Sequence, residues 1–196
     1  MFKIIKKYPV ICSLLLICLI FALLTTINNS MYDLFAFHSK PKYFWQYFSG
    51  TFMHGIKGES NILLWIHFLL NFLFLIIPFG ILLEDRIGSK KILFLVLFTI
   101  IISSITFHLL MYGKDELATG ISIIGYSFFT GGLFIIIKSW NKYSKKKKAL
   151  YILLILMALI ILMPTTLGWT TSIMHFSGVI SYLLFYLLLK CFKVKI

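Results

Sequence analysis

The run ILLWIHFLLNFLFLIIPFGILL, residues 62–83, decides what kind of molecule this is. It carries no Asp, Glu, Lys or Arg and has the length of about 20 residues that an α-helix needs to cross a bilayer. Two polar side chains interrupt it, His67 and Asn71, spaced i, i+4 and so one above the other on a single helix face. Comparable apolar runs lie outward of it near 8–27, 92–112, 119–137, 149–163 and 171–189, the fifth being short. Six spans result, in a chain of 196 residues that is 60% hydrophobic and only 13% charged. A soluble domain is about one quarter charged, so this chain has too little charge to cover a water-facing surface. The same composition excludes a disordered basic tail and a nucleic-acid-binding domain, whose charge sits on a polar body. We expect one polytopic, all-α membrane domain over residues 1–196.

The net charge of +13 tests the count of spans. Lys and Arg in short loops stay on the cytoplasmic side. With the N-terminus inside, the inner segments hold Lys3, Lys6, Lys7, Arg86, Lys90, Lys91, Lys138, Lys142, Lys145 to Lys148, Lys190, Lys193 and Lys195. The outer segments keep Lys40, Lys42, Lys57 and Lys114, balanced by Asp33, Glu59, Asp115 and Glu116. Five or seven spans would break this segregation, so both termini are expected in the cytoplasm, across a cell membrane. The first run follows three lysines as a signal peptide would, yet it exceeds a usual apolar core and no small-residue cleavage site follows, which marks a retained helix. Lys145 to Lys148 read as an anchoring loop that also attracts anionic lipid. Cys12, Cys18 and Cys191 have no metal or redox spacing and are expected as free thiols.

Residues 28–61 are too polar to span and too aromatic for a plain loop. Their centre, Tyr43-Phe44-Trp45-Gln46-Tyr47-Phe48, suits the headgroup level, where Trp and Tyr concentrate. An interfacial helix or hairpin on the outer face is the expectation, with Pro41 turning the chain into it.

Polar groups at membrane depth are costly and mark candidate sites. Counting ~1.5 Å per residue from the expected outer helix ends puts Ser122, His175 and His67 roughly 5–10 Å below the surface, with Asn71 one turn deeper. A serine, an imidazole and amide-type donors in one layer suit nucleophilic acyl chemistry. The imidazole takes the hydroxyl proton, and His67 and Asn71 face the oxyanion. Gly120 frees the backbone beside Ser122, while Gly125, Gly131, Gly132 and Gly178 with Ser181 let the fourth and sixth helices approach closely. A lone serine in such a helix more often bonds back to its own preceding turn, so it is the coincidence in depth that carries the reading.

Five motifs then fall in order: Trp45-Gln46-Tyr47-Phe48 through Phe52-Met53-His54; His67-Phe68-Leu69-Leu70-Asn71; Gly80 with Glu84 and Gly88-Ser89; Gly120-Ile121-Ser122; and His175-Phe176-Ser177-Gly178. Together they resemble the rhomboid intramembrane serine proteases, over a core of about residues 44–190. The resemblance implies a six-transmembrane-helix bundle with an interfacial first loop and a Ser–His dyad, Ser122 as nucleophile and His175 as general base. It further implies an oxyanion hole of His67, Asn71 and the Ser122 backbone N–H, with Tyr126 packed on the His175 ring and His54, Gly120 and Gly178 in support. Substrates would be transmembrane segments of other proteins, embedded in membrane lipid, with no metal and no cofactor. The sequence departs from the family at Ile123 and Tyr182, which stand at glycine positions of its motifs. It departs also at Gln46, where arginine is frequent, and in a longer stretch between His54 and His67.

Three other readings fit less well. A catalytically inactive rhomboid-like protein that binds transmembrane helices would be expected to lose Ser122, His175, His67 or Asn71. A small transporter or channel would carry an inverted repeat or a pair of broken helices, and neither is present. A zinc protease is disfavoured by the lack of H-E-x-x-H and of any histidine pair at i, i+4.

Overall fold

The computed structural model of the chain describes residues 2–55, 57–162 and 169–193. Its helices in chain order are α1 (Phe2–Lys7), α2 (Pro9–Ile27), α3 (Met31–Phe35), α4 (Gln46–Ser49), α5 (Asn61–Asn71), α6 (Ile77–Ile87), α7 (Ser89–Leu110), α8 (Ser122–Ser139), α9 (Lys145–Leu162) and α10 (Trp169–Cys191). A π turn, Phe72–Ile76, joins α5 to α6, so that Asn61–Ile87 is one continuous span. Pro78 follows within the first turn of α6, and its missing N–H makes the wider turn cheap at this point.

Among the described residues, five segments are long and apolar enough to cross a membrane: Pro9–Ile27, Asn61–Ile87, Ser89–Leu110, Ser122–Lys142 and Thr171–Cys191. The segment expected near 149–163 is different. Its helix starts earlier, at Lys145, taking in the four lysines and leaving a shorter apolar part; the end of that expected run, residue 163, lies outside the described residues. Several expected ends also move. The second span runs on through Glu84, Asp85 and Arg86 until Gly88, at φ +83°, ends the helix. The fourth begins at Ser122 instead of 119, because Leu117–Ala118 is extended and Gly120 turns the chain. The first is broken at Tyr8, before Pro9.

Within the bundle α8 is central. Its apolar window is 67% buried, against 28% for the peripheral α2. The helices α8 and α10 pack most extensively, in parallel: Ser122 lies level with His175, Gly131 with Tyr182 and Phe134 with Tyr186. Between them α9 runs back, its start beside Tyr143 and Trp140 and its Ala158 level with Tyr126. Hydroxyls on three helices add polar ties, Thr99 to Ser127 at 3.1 Å and Ser177 to Ser103 at 3.4 Å.

At the basic end of the bundle, Glu84 reaches the start of α2. Its two carboxylate oxygens accept from the backbone N–H groups of Val10 and Ile11 at 3.2 and 3.3 Å, donors that the first turn of a helix leaves unsatisfied. Alongside, Tyr8 Oη donates to Asp85 at 2.9 Å and Lys7 pairs with Asp85 at 3.1 Å. Glu84→Gln keeps the shape but turns an NH₂ toward one of these N–H donors. The expected loss is about 1–3 kcal/mol, read as a lower thermal unfolding midpoint in detergent. An unchanged midpoint would mean that the cap contributes nothing.

At the other end, residues 28–55 and 57–60 form neither one helix nor one hairpin. Short pieces follow one another: α3, a strand β1 (Phe37–His38), α4 and a 3-10 turn at Gly50–Phe52. Strand β1 pairs antiparallel with β2 (Leu117–Ala118), Phe37 opposite Ala118 and His38 opposite Leu117, which ties the first loop to the segment leading into α8. These two short strands apart, the bundle is helical, in keeping with the all-α expectation. Buried Gln46 holds the loop together: its Oε1 accepts from the Lys42 and Tyr43 N–H groups at 2.8 and 3.1 Å, and its Nε2 donates to the Asp33 carbonyl at 2.8 Å. Phe44 and Trp45 remain exposed.

Candidate active site

The approach to α8 sets the site. Gly120 has φ +135°, a conformation that side chains rarely adopt, and its N–H donates to the Gly50 carbonyl at 3.0 Å. A Cβ at this position would lie 3.2 Å from Ser122 Oγ. Thr119 Oγ1 donates to the Gly55 carbonyl, so the first loop holds this turn at two points. Ser122 is thereby the first residue of α8, where backbone N–H groups have no partner within the helix and the helix dipole is positive.

His175, on α10, completes the contact. Its Nε2 lies 3.0 Å from Ser122 Oγ, with both residues buried. The approach is possible because of Gly178, one turn further along. The Ile123 carbonyl oxygen occupies the space that a Cβ on Gly178 would need, so two backbones touch where the pair forms. Tyr126 supports the imidazole, ring centroids 4.7 Å apart, while its hydroxyl donates to the Ala158 carbonyl of α9 at 2.7 Å. His175 Nδ1 has no hydrogen-bond partner among the described residues. Aromatic packing, not a carboxylate, orients this ring.

Ser122 and His175 line a cavity of about 270 Å³ together with His67. Phe37, Phe107, Met111, Ile123 and Met174 give it an apolar wall. Lys57, Lys114 and Glu116, from the loops, also line it. Asn71 is not on the wall. It is fully buried, and its Nδ2 donates to the His67 carbonyl one turn back at 2.9 Å, leaving Oδ1 without a partner among the described residues. The i, i+4 spacing therefore joins Asn71 to the backbone beneath His67 instead of to the cleft.

His54 is fully buried against His67, ring centroids 6.1 Å apart and nearly perpendicular, and against Phe68 at 5.0 Å. Burial, reinforced by the neighbouring His67, pushes its pKa down to about 3, so it stays neutral. Its carbonyl accepts from Tyr32 Oη at 2.6 Å. Burial and then the charge of Glu59 raise the Tyr32 hydroxyl to about 12, which keeps it a donor. Tyr32 was not expected at the site from sequence, since it acts through a loop carbonyl far along the chain. Among the described residues, no three His, Cys, Asp or Glu side chains cluster as metal ligands would.

Compared with models of protein families, residues 41–191 match the Rhomboid domain. The chain belongs to the rhomboid family. A comparison with curated proteins gives no match. In this rhomboid protein the two departures at glycine positions are both accommodated. Tyr182 is buried, its ring seated over Gly131 of α8, where any side chain would collide with it and with Leu83. The compensation thus comes from Gly131, not from Gly125, which faces Leu75, nor from Ser181, which bonds back to the Ser177 carbonyl at 2.7 Å. Ile123 points into the apolar wall of the cleft and leaves its carbonyl against Gly178, so it does not hold the helices apart.

Proposed function

We propose that this rhomboid protein is an intramembrane serine protease that hydrolyses peptide bonds in or near transmembrane segments of other membrane proteins. The observation that carries this reading is the 3.0 Å approach of His175 Nε2 to Ser122 Oγ inside a cleft. In the step it supports, His175 Nε2 takes the hydroxyl proton as Ser122 Oγ bonds to the scissile carbonyl carbon. The oxyanion is met by the Ser122 backbone N–H and by His67, with Asn71 acting from beneath through its bond to the His67 carbonyl. Collapse of the tetrahedral adduct passes the proton to the leaving amine. Water, giving its proton to His175, then releases the acyl group from Ser122. No metal or organic cofactor enters this sequence.

The whole chain, residues 1–196, is read as one polytopic domain with six crossings, α9 being the sixth because parallel α8 and α10 require a return between them. Most lysines and arginines, Lys7, Arg86, Lys90 and Lys145 to Lys148 among them, belong to helix ends away from the cleft, whereas Lys57 and Lys114 line it. This favours cytoplasmic termini in a cell membrane and a cleft that opens on the outer side, where water and substrate enter. The exposed aromatics of the first loop then lie at the outer interface.

A second reading is an inactive rhomboid-like protein that binds transmembrane helices. The turning of the Asn71 amide toward the His67 carbonyl favours it, since one expected oxyanion donor is engaged elsewhere. A fluorophosphonate probe separates the two. Wild-type protein in liposomes is expected to label, and Ser122→Ala and His175→Ala are expected not to. A folded wild type that stays unlabelled would overturn the protease reading in favour of the second.

A further inference from the structure

We propose that the groove between α2 and α7 binds one acidic phospholipid, an acyl chain lying along the groove and the phosphate at Lys90. The proposal does not depend on whether the protein cuts peptide bonds. The groove has a volume of about 490 Å³, within the range of sites that take small molecules. Its walls are Leu14 and Ile17 from α2 and Leu93, Leu97 and Ile100 from α7, and it runs about 17 Å along α7, from Ser89 to Ile100. Both helices are among the segments able to cross a membrane, and Leu93 and Leu97 are each half exposed, so the groove opens sideways onto hydrocarbon.

Its one charged residue lies at one end. Ser89 and Lys90 mark that end, at the basic end of the bundle, and Ser13 lines the wall about one helical turn further along α2 than Pro9. Ser89 begins α7, a helix of 22 residues whose positive end adds to the attraction for an anion. A largely apolar trough ending in a cation and a hydroxyl matches a lipid chain ending in a phosphate. A second protein helix would leave Lys90 unpaired in the seam. Phe52 closes the far end, in the same 3-10 turn whose Gly50 carbonyl holds the Gly120 N–H beside Ser122. A chain filling the groove therefore supports the turn on which the Ser122 backbone rests.

The test uses the full chain in nanodiscs of phosphatidylcholine with a minor share of phosphatidylglycerol, with retained lipid counted by native mass spectrometry. Wild type is expected to retain one phosphatidylglycerol. Lys90→Gln should lower its affinity by about fivefold, the effect of one lysine at a membrane surface. Leu97→Trp, which fills the groove at a lipid-facing position that the fold can spare, should lower it at least as much. Lys146→Gln with Lys147→Gln removes charge elsewhere and should leave retention unchanged. Equal retention of phosphatidylcholine, an equal loss in the Lys146 and Lys147 variant, or disulfide-linked dimers formed through Leu97→Cys would each overturn the proposal. The first would point to filling by any lipid, the second to diffuse attraction and the third to a second copy of the chain.

Discussion

Ser122→Ala is expected to slow cleavage of a transmembrane substrate on the order of 10⁴-fold or more, with no change in the thermal unfolding midpoint. Among the described residues the hydroxyl's partner is His175 Nε2, so its removal deletes the nucleophile and little else. His175→Ala is expected to reduce the rate comparably, because an unassisted serine hydroxyl is a weak nucleophile. That variant also removes the ring packed against Tyr126 and will lose stability; His175→Phe keeps a ring there and isolates the chemistry. The decisive measurement is the double variant. Two groups that act as one unit show no further loss when both are removed, whereas independent roles would multiply. A double variant slower than wild type by the product of the two single effects would dismiss the dyad.

The second large effect is expected from a single methyl group. In Gly178→Ala the new Cβ meets the Ile123 carbonyl oxygen and carbon, and backbone cannot swing aside as a side chain can. Relief requires α10 to move off α8 along the most extensive helix contact in the molecule. Overpacking of this kind usually costs about 1–3 kcal/mol, and a backbone obstacle puts this substitution at the upper end. The rate should fall further than the population of folded protein does, because a shift of about 1 Å between reacting groups can cost about 100-fold. Ile180→Ala, at a half-exposed position on the same helix, is the control and should change neither. If Gly178→Ala kept the wild-type midpoint and probe labelling, the close contact of α8 and α10 would not be what positions His175.

What could be read from sequence was whatever is carried by periodicity or by a polar group standing alone in an apolar run. Ser122, His175 and His67 stood out for that reason, and the structure puts all three on one cavity. Asn71 stood out equally, yet helical spacing reports only the face on which a side chain starts, not the acceptor it finds; the nearest one is the carbonyl of the preceding turn. The consequence of Tyr182 was illegible because its partner, Gly131, belongs to another helix. Gln46 reads as the loss of an arginine, and only the folded loop reveals three backbone groups that a neutral amide satisfies. The pairing of Phe37–His38 with Leu117–Ala118 involves two dipeptides separated by two spans, too short to leave a pattern.

The π turn at Phe72–Ile76 leaves this second span with one residue more than a straight α-helix would place in that turn. Each residue of an α-helix advances the face by about 100°, so the extra one acts as a phase shift between the two halves of the rod. The half before it points His67 at the cleft. The half after it points Gly80 at Ile11 and Phe128, and Glu84 at the start of α2. The two bearings are thus set separately, and the anchorage at the basic end could be re-aimed over generations without rotating His67 out of alignment with Ser122.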